Sequence, residues 1–144
     1  MPVRIQPVPE LSEVVNLLRN CELPVSDIIP PHPAQFFGVR SGPALVAVVG
    51  LEVYDSIALL RSLAVDPAFR RHGLGHKLVA YAEQHAMRHG VQRAYLLTTT
   101  AADFFLRLGY TPLARDAAPS AIRNTRQFSE LCPASSAFMS KPLA

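Results

Sequence analysis

Between Ile57 and His89 the chain changes its hydrophobic period, and this change limits what it can become. Ile57 to Val65 is a near-continuous apolar run, as in a strand covered on both faces. Asp66-Pro67 ends it, because proline cannot donate to a ladder and favours a turn. From Leu74 onward, Leu74, Leu78, Ala82 and Ala86 recur every four residues, the stripe of a helix with one buried side, and Gly90 stops it. The two elements are joined by Arg70-x-x-Gly73-x-Gly75. Without Cβ atoms at the two glycines, several backbone N–H groups can converge on one point. The positive end of the helix dipole adds its attraction for an anion. Strand, glycine turn and helix N-terminus in this order make a phosphate cradle from backbone.

Two familiar cradles are excluded. A P-loop needs Gly-Lys-Ser/Thr, and here Gly75 is followed by His76 and Lys77. A dinucleotide fingerprint needs a third glycine where Leu78 stands. What remains, Val65 followed by Arg70-x-x-Gly73-x-Gly75, closely resembles the acetyl-CoA motif of the GNAT family of N-acetyltransferases, Arg/Gln-x-x-Gly-x-Gly/Ala. A second stretch, Ala102-Asp103-Phe104-Phe105-Leu106-Arg107-Leu108-Gly109-Tyr110, resembles that family's Ala-x-x-Phe-Tyr-x-x-x-Gly-Phe, which follows the strand after the cradle. Three further stretches, Tyr95 to Ala101, Ala118 to Thr125 and Phe128 to Pro133, are similar to a subgroup encoded with arsenic-resistance genes, the ArsN-type acetyltransferases.

At 144 residues the chain is expected to be one domain, residues 1–144. Nearly half its residues are apolar and 17% are charged, the balance of a compact protein with a substantial core. No apolar run reaches the roughly 20 residues of a membrane span, and Met1 to Gln6 lacks a signal peptide's apolar core, so a cytoplasmic location is expected. The net charge of +3 is carried without any Lys/Arg block longer than Arg70-Arg71, and tryptophan is absent. This argues against nucleic acid and for an anionic small ligand. Cys21 and Cys132 lack metal-ligand spacing, as do His85 and His89, so free thiols and no metal are expected.

Read in order, the chain predicts a strand over Val3 to Val8 and a helix over Glu10 to Asn20. A proline-broken loop follows from Glu22 to Pro33, anchored by Ile28 and Ile29. Gln35 to Arg40 and Ala44 to Tyr54 form a hairpin through Ser41-Gly42-Pro43. After the central strand and its helix, Arg93 to Thr98 is a buried strand, parallel to the central one by a right-handed crossover. Then come a short helix at Ala101 to Leu108, a strand at Tyr110 to Ala114, an amphipathic helix at Pro119 to Glu130 and a last strand at Ala137 to Lys141. The fold class is a single α/β domain, a mixed sheet layered with helices. The resemblance implies the GNAT topology over essentially the whole chain: a mostly antiparallel sheet with splayed parallel strands and helices on both faces. An edge strand at the C-terminus is a place where two subunits can pair as a homodimer.

The resemblance also implies a site. Acetyl-CoA is the expected co-substrate, its pantetheine arm beside the central strand at Leu63, Ala64 and Val65. Its pyrophosphate is expected on amides from Arg70 through Arg71, His72, Gly73, Leu74, Gly75 and His76, with Arg70 or Arg71 supplying charge. Phe105 is expected to pack against the cofactor. Many relatives carry a glutamate base at the position of Leu59 and a tyrosine acid at that of Phe105. Both groups are missing here, so the acid and base are not identified, and proton transfer through ordered water or from an amine of low pKa is expected. By strand alternation Arg61 shares a face with Leu59, Leu63 and Val65 and projects toward the groove. It is either paired structurally, with Glu52 or Asp55, or it grips an anionic group of the acceptor. Arg123 is expected to border the same acceptor site, and Thr98 to Thr100 to offer hydroxyls near the thioester. An arginine-lined pocket suits an amino acid or an oxyanion-bearing amine, organoarsenicals included. Two readings stand: an enzyme acetylating a small, anionic amine, or an acetyl-CoA-binding sensor with little transferase activity, which the missing glutamate and tyrosine favour.

Overall fold

The computed structural model describes residues 4–23, 25, 34–70, 72–98, 101–125 and 137–143. Seven strands, β1 (Gln6–Pro7), β2 (Gln35–Ser41), β3 (Ala44–Tyr54), β4 (Ile57–Val65), β5 (Arg93–Thr98), β6 (Thr111–Pro112) and β7 (Ala137–Pro142), form one sheet in the order β1-β2-β3-β4-β5-β7-β6. Every pairing is antiparallel except β4 with β5. Among the described residues, four α-helices cover it: α1 (Leu11–Asn20), α2 (Leu74–Arg88), α3 (Ala102–Arg107) and α4 (Ser120–Arg123).

Burial of one stripe per helix assembles these layers. Leu74, Leu78, Val79, Ala82 and Ala86 of α2 pack with Val49, Leu51 and Leu60 of β3 and β4. Val14, Leu17 and Leu18 of α1 pack with Val48 and Ala64 on the opposite face. On that second face Ile122 of α4 joins Leu59, Tyr95 and Phe138. Each fully buried leucine contributes about 1.5–3 kcal/mol of transfer free energy. Arg40 of β2 forks onto Glu13 of α1 at 2.5 and 2.7 Å, fixing α1 against the sheet at β2.

The hairpin at Ser41, β4, α2 and the parallel β5 are as expected from the pattern, and α2 stops at Arg88, just before Gly90 with φ +84°. Other expectations are corrected. The first strand covers only Gln6–Pro7 among the described residues, with Val8 adding one bond to Phe36. The strand expected at Tyr110 to Ala114 is only Thr111–Pro112, where Pro112 donates no ladder bond. The helix expected from Pro119 to Glu130 leaves helical structure after Arg123, where Thr125 folds its hydroxyl onto the Ile122 carbonyl at 2.7 Å; residues 126–130 lie outside the described set. Ile28, Ile29 and Cys132 also lie outside it. β7 is not an edge: it pairs with β5 on one side and β6 on the other, so the expected subunit-pairing edge is covered at Met139 and Ser140.

The most consequential correction concerns β4. Gly50 pairs with Arg61 and Val48 with Ala64, so Ser62 and Leu63 together oppose Val49. This is a β-bulge, and Ser62 takes φ +57°, the left-handed region. The extra residue inverts the alternation. Leu59 and Ala64 lie on the α1/α4 face, whereas Leu63 and Val65 pack toward α2. Arg61 therefore does not share a face with Leu63 and Val65.

Candidate active site

The parallel pair β4–β5 is bonded only from Ile57 opposite Arg93 to Leu59 opposite Tyr95. Beyond this, β4 runs on to Val65 and β5 to Thr98 without a ladder between them. The strands part, and backbone that would be paired in a closed sheet faces open space. A groove of about 560 Å³ occupies the parting. Leu63, Ala64 and Val65 form one wall, and Gly73, Leu74, Gly75 and His76 at the start of α2 form its end. Eight residues expected at the cofactor site, these seven and Arg70, thus line one cavity. His72 is exposed next to them, and Arg71 lies outside the described residues.

The end of the groove presents the bare backbone of a helix start. Gly73, the N-cap of α2, holds φ +75° and offers no capping side chain. The first amides of α2 have no partner within the helix and carry the positive end of its dipole. At Gly75 a Cβ would sit 3.3 Å from the ring of Phe104, so a side chain there would fill the space between α2 and α3. Arg70 turns back onto the strand, its Nε donating to the Val65 carbonyl at 2.9 Å. The Cys21 thiol donates to the same carbonyl at 3.6 Å, placing sulfur in the groove wall beside the Arg70 guanidinium, 3.9 Å away.

Cys21 was not expected in the groove, nor were Leu23, Phe69, Ala101 and Phe104. Only the packing of α1 beneath β4 brings Cys21 there. Phe104, not Phe105, takes the place at the groove expected of Phe105. Neighbouring residues on a helix point about 100° apart, so only one can face the groove. It is Phe104; Phe105 is buried in the core, edge-on to Tyr110 at 5.6 Å. Tyr110 is itself buried, and its hydroxyl donates to Glu83 at 2.8 Å. Burial, with the Glu83 charge, pushes that phenol well above its ordinary pKa.

The expected acceptor residues are placed differently. Arg61 reaches across β3 to Glu52 at 2.9 Å, with the two side chains 1% and 3% exposed, and its Nε donates to Ser62 at 3.0 Å. Of its two readings, the ion pair with Glu52 is the one seen; Asp55 sits at the exposed turn. Tyr54 donates its hydroxyl to the same carboxylate, and burial together with that contact raises the phenol's pKa. Arg123 is exposed and folds back, donating to the carbonyls of Ala118 and Asp116 at 3.0 and 3.2 Å. Thr98 accepts the Ala101 N–H at 3.0 Å, fixing the entry to α3; Thr99 and Thr100 lie outside the described residues.

A parted parallel pair, with a glycine-bearing helix N-terminus closing the parting, is the geometry the sequence motifs pointed to. The family model described as the GNAT acetyltransferases matches residues 7–110, which contain the groove's β4 and α2 walls. The chain belongs to the GNAT acetyltransferase family. Among curated GNAT relatives, an amino-acid acetyltransferase of Mycobacterium tuberculosis is 31% identical over 116 residues, covering 76% of this chain and 66% of that protein. An amino-acid acetyltransferase of Pseudomonas syringae pv. syringae is 37% identical over 97 residues, covering 66% of this chain and 22% of that protein. The chain thus spans less than two thirds of these relatives. In structure it is similar to Neisseria gonorrhoeae N-acetylglutamate synthase complexed with coenzyme A and N-acetylglutamate, with TM-score 0.79 and 18% identity over 100% of this chain and 36% of that one. A GNAT acetyltransferase of Staphylococcus aureus gives TM-score 0.77 at 16% identity, covering 99% of this chain and 100% of the other. At such identities the likeness is one of fold.

Proposed function

We propose that this GNAT protein transfers the acetyl group of acetyl-CoA to the amine of a small, anionic, amino-acid-like acceptor. The observation that carries the proposal is the single groove in which the parted edge of β4 meets the glycine start of α2. Leu63, Ala64 and Val65 would hold the pantetheine arm through main-chain groups, and the amides from Gly73 to His76 its pyrophosphate. The bare backbone at Gly75 fits this use, because a Cβ there would stand 3.3 Å from the Phe104 ring and press on the groove wall. Acetyl-CoA supplies an activated thioester carbonyl.

The protein's own residues supply proximity more than acid–base chemistry. Leu59 is fully buried and apolar, and Phe105 is core, so neither transfers a proton. The acceptor accordingly binds as a neutral amine, and its proton leaves through water in the open groove. Arg61 is already neutralised by Glu52, so we assign it to holding β3 and β4 together. Recognition of the acceptor's anionic group is assigned to Arg123, whose exposed guanidinium would exchange the Ala118 and Asp116 carbonyls for the acceptor, with Thr98 contributing a hydroxyl. Relatives named as amino-acid acetyltransferases favour a carboxylate-bearing acceptor. The ArsN-like stretches extend this to amines bearing other oxyanions, organoarsenicals among them, and to a cytoplasmic detoxification role.

The test is calorimetry with acetyl-CoA, using Gly73→Glu as the control, followed by a free-thiol assay on a panel of carboxylate-bearing, arsonate-bearing and neutral amines. Tight binding abolished by Gly73→Glu, with thiol release for anionic amines only and an acceptor KM raised by Arg123→Ala, is the expected result. Binding without release for any amine would move the assignment to an acetyl-CoA sensor. No binding would sink both.

A further inference from the structure

Beyond the groove, the facing surfaces of α2 and α3 carry a second depression of about 210 Å³. It is lined by His76, Glu83, Arg107, Leu108 and Lys141, among others. His76 also lines the large groove, so the two spaces adjoin at that residue. Both helices lead from one to the other. On α2, His76 is followed on the same side by Ala80 and Glu83; on α3, Phe104 in the groove is followed one turn later by Arg107 in the depression. A ligand with its pyrophosphate at the α2 N-terminus can therefore run onward along these helices to the charged side chains of the depression.

We propose that this depression is a second anion subsite, one that takes the ribose 3′-phosphate of the coenzyme and lets the protein distinguish coenzyme A from 3′-dephospho-coenzyme A. The inference rests on the acetyl-CoA reading of the groove and deepens it. Glu83 would repel a phosphate were its charge free, but Lys141 donates to both its oxygens at 2.9 and 3.1 Å and Tyr110 donates to one at 2.8 Å. The carboxylate is thereby neutralised inside its own cluster. Arg107, exposed on the last turn of α3, makes no hydrogen bond or ion pair among the described residues and is the cation left to meet an incoming anion. A guanidinium offers paired N–H groups that match two phosphate oxygens. His76, exposed at the junction, adds an imidazole on the path.

The experiment is calorimetric titration of the wild-type protein and of Arg107→Ala with coenzyme A and with 3′-dephospho-coenzyme A. The wild type is expected to bind coenzyme A at least about tenfold tighter, the scale of one charge-assisted contact. Arg107→Ala is expected to weaken coenzyme A alone, so that both ligands bind as 3′-dephospho-coenzyme A binds the wild type. Arg107→Lys should recover part of the difference. The unchanged affinity for 3′-dephospho-coenzyme A reports that the variant is folded and its groove intact. Equal binding of the two ligands by the wild type would overturn the subsite, as would an Arg107→Ala variant that weakens both by the same factor. If neither ligand binds the wild type, the acetyl-CoA reading itself falls, a result distinct from equal binding.

Discussion

Glu52 and Arg61 meet at 2.9 Å inside the sheet, and the meeting depends on Gly50. Gly50 is the ladder partner of Arg61, and a Cβ there would stand 2.8 Å from the Phe36 ring and 3.1 Å from Arg61 Cγ. A bare backbone lets the arginine stem lie flat across β3 and reach the carboxylate two residues on. The same arginine donates to Ser62, the bulge residue, so the ion pair and the bulge form one unit.

Removing one half of that unit leaves a buried charge without its partner. Arg61→Ala and Glu52→Ala are each expected to cost about 3–5 kcal/mol, and the double replacement Glu52→Leu with Arg61→Met much less than their sum. Urea denaturation of the two single variants and the double would show this. Near-wild-type stability of both single variants would contradict the role assigned to the pair.

The two adjacent phenylalanines of α3 should separate cleanly by phenotype. Phe105→Ala is expected to destabilise the fold by about 3–5 kcal/mol, because the ring is buried against Tyr110. Phe104→Ala opens the groove wall and should weaken acetyl-CoA binding, with a smaller loss of stability because its ring is only partly buried. Denaturation and calorimetry on both variants provide the comparison.

Tyr54 and Tyr110 give the alkaline limb of stability a definite sign. Both phenols have pKa values raised in the folded state, by burial first and then by Glu52 and Glu83 respectively. An unfolded tyrosine loses its proton near pH 10. Above that pH the unfolded chain binds fewer protons than the native one, so stability falls as pH rises, by up to about 1.4 kcal/mol per pH unit for each phenol. Tyr110→Phe should make the decline above pH 10 shallower. At neutral pH it should cost about 1–3 kcal/mol through the lost bond to Glu83. Denaturation midpoints from pH 7 to 11 would reveal both effects.

Cys21 provides a direct probe of the groove. Its sulfur lines the wall next to Val65 and Arg70 and is partly exposed. Alkylation by iodoacetamide, followed at the Cys21 peptide by mass spectrometry, should slow at least severalfold when coenzyme A is present. An unchanged rate would place the coenzyme elsewhere.

Much of the fold was legible because its signals are local. The period change from β4 to α2, the stop at Asp66-Pro67 and the hairpin at Gly42 depend on nearby residues alone, and the structure has each of them. The cradle from Gly73 to His76 was legible for the same reason: a helix N-terminus with two glycines carries its own chemistry. Strand alternation puts Arg61 on the face of Leu63 and Val65 because it counts residues and a bulge adds one, and no glycine or proline at Ser62 announces the bulge. The pattern after Pro119 predicts helix through Asn124 and Thr125, where the described chain has left it, and Thr125 turns its buried hydroxyl onto the Ile122 carbonyl.

The amino-acid pattern by itself determined the main elements, their order, the parallel crossover and the glycine turn before α2, since each follows from spacing along one segment. Tertiary structure decided which groups share the groove. It set Phe104 rather than Phe105 at the wall, brought Cys21 to Val65 from 44 residues away, and closed Arg61 on Glu52. Those outcomes depend on strand register and on which helix face is buried, and both are settled only when several segments compete for one core.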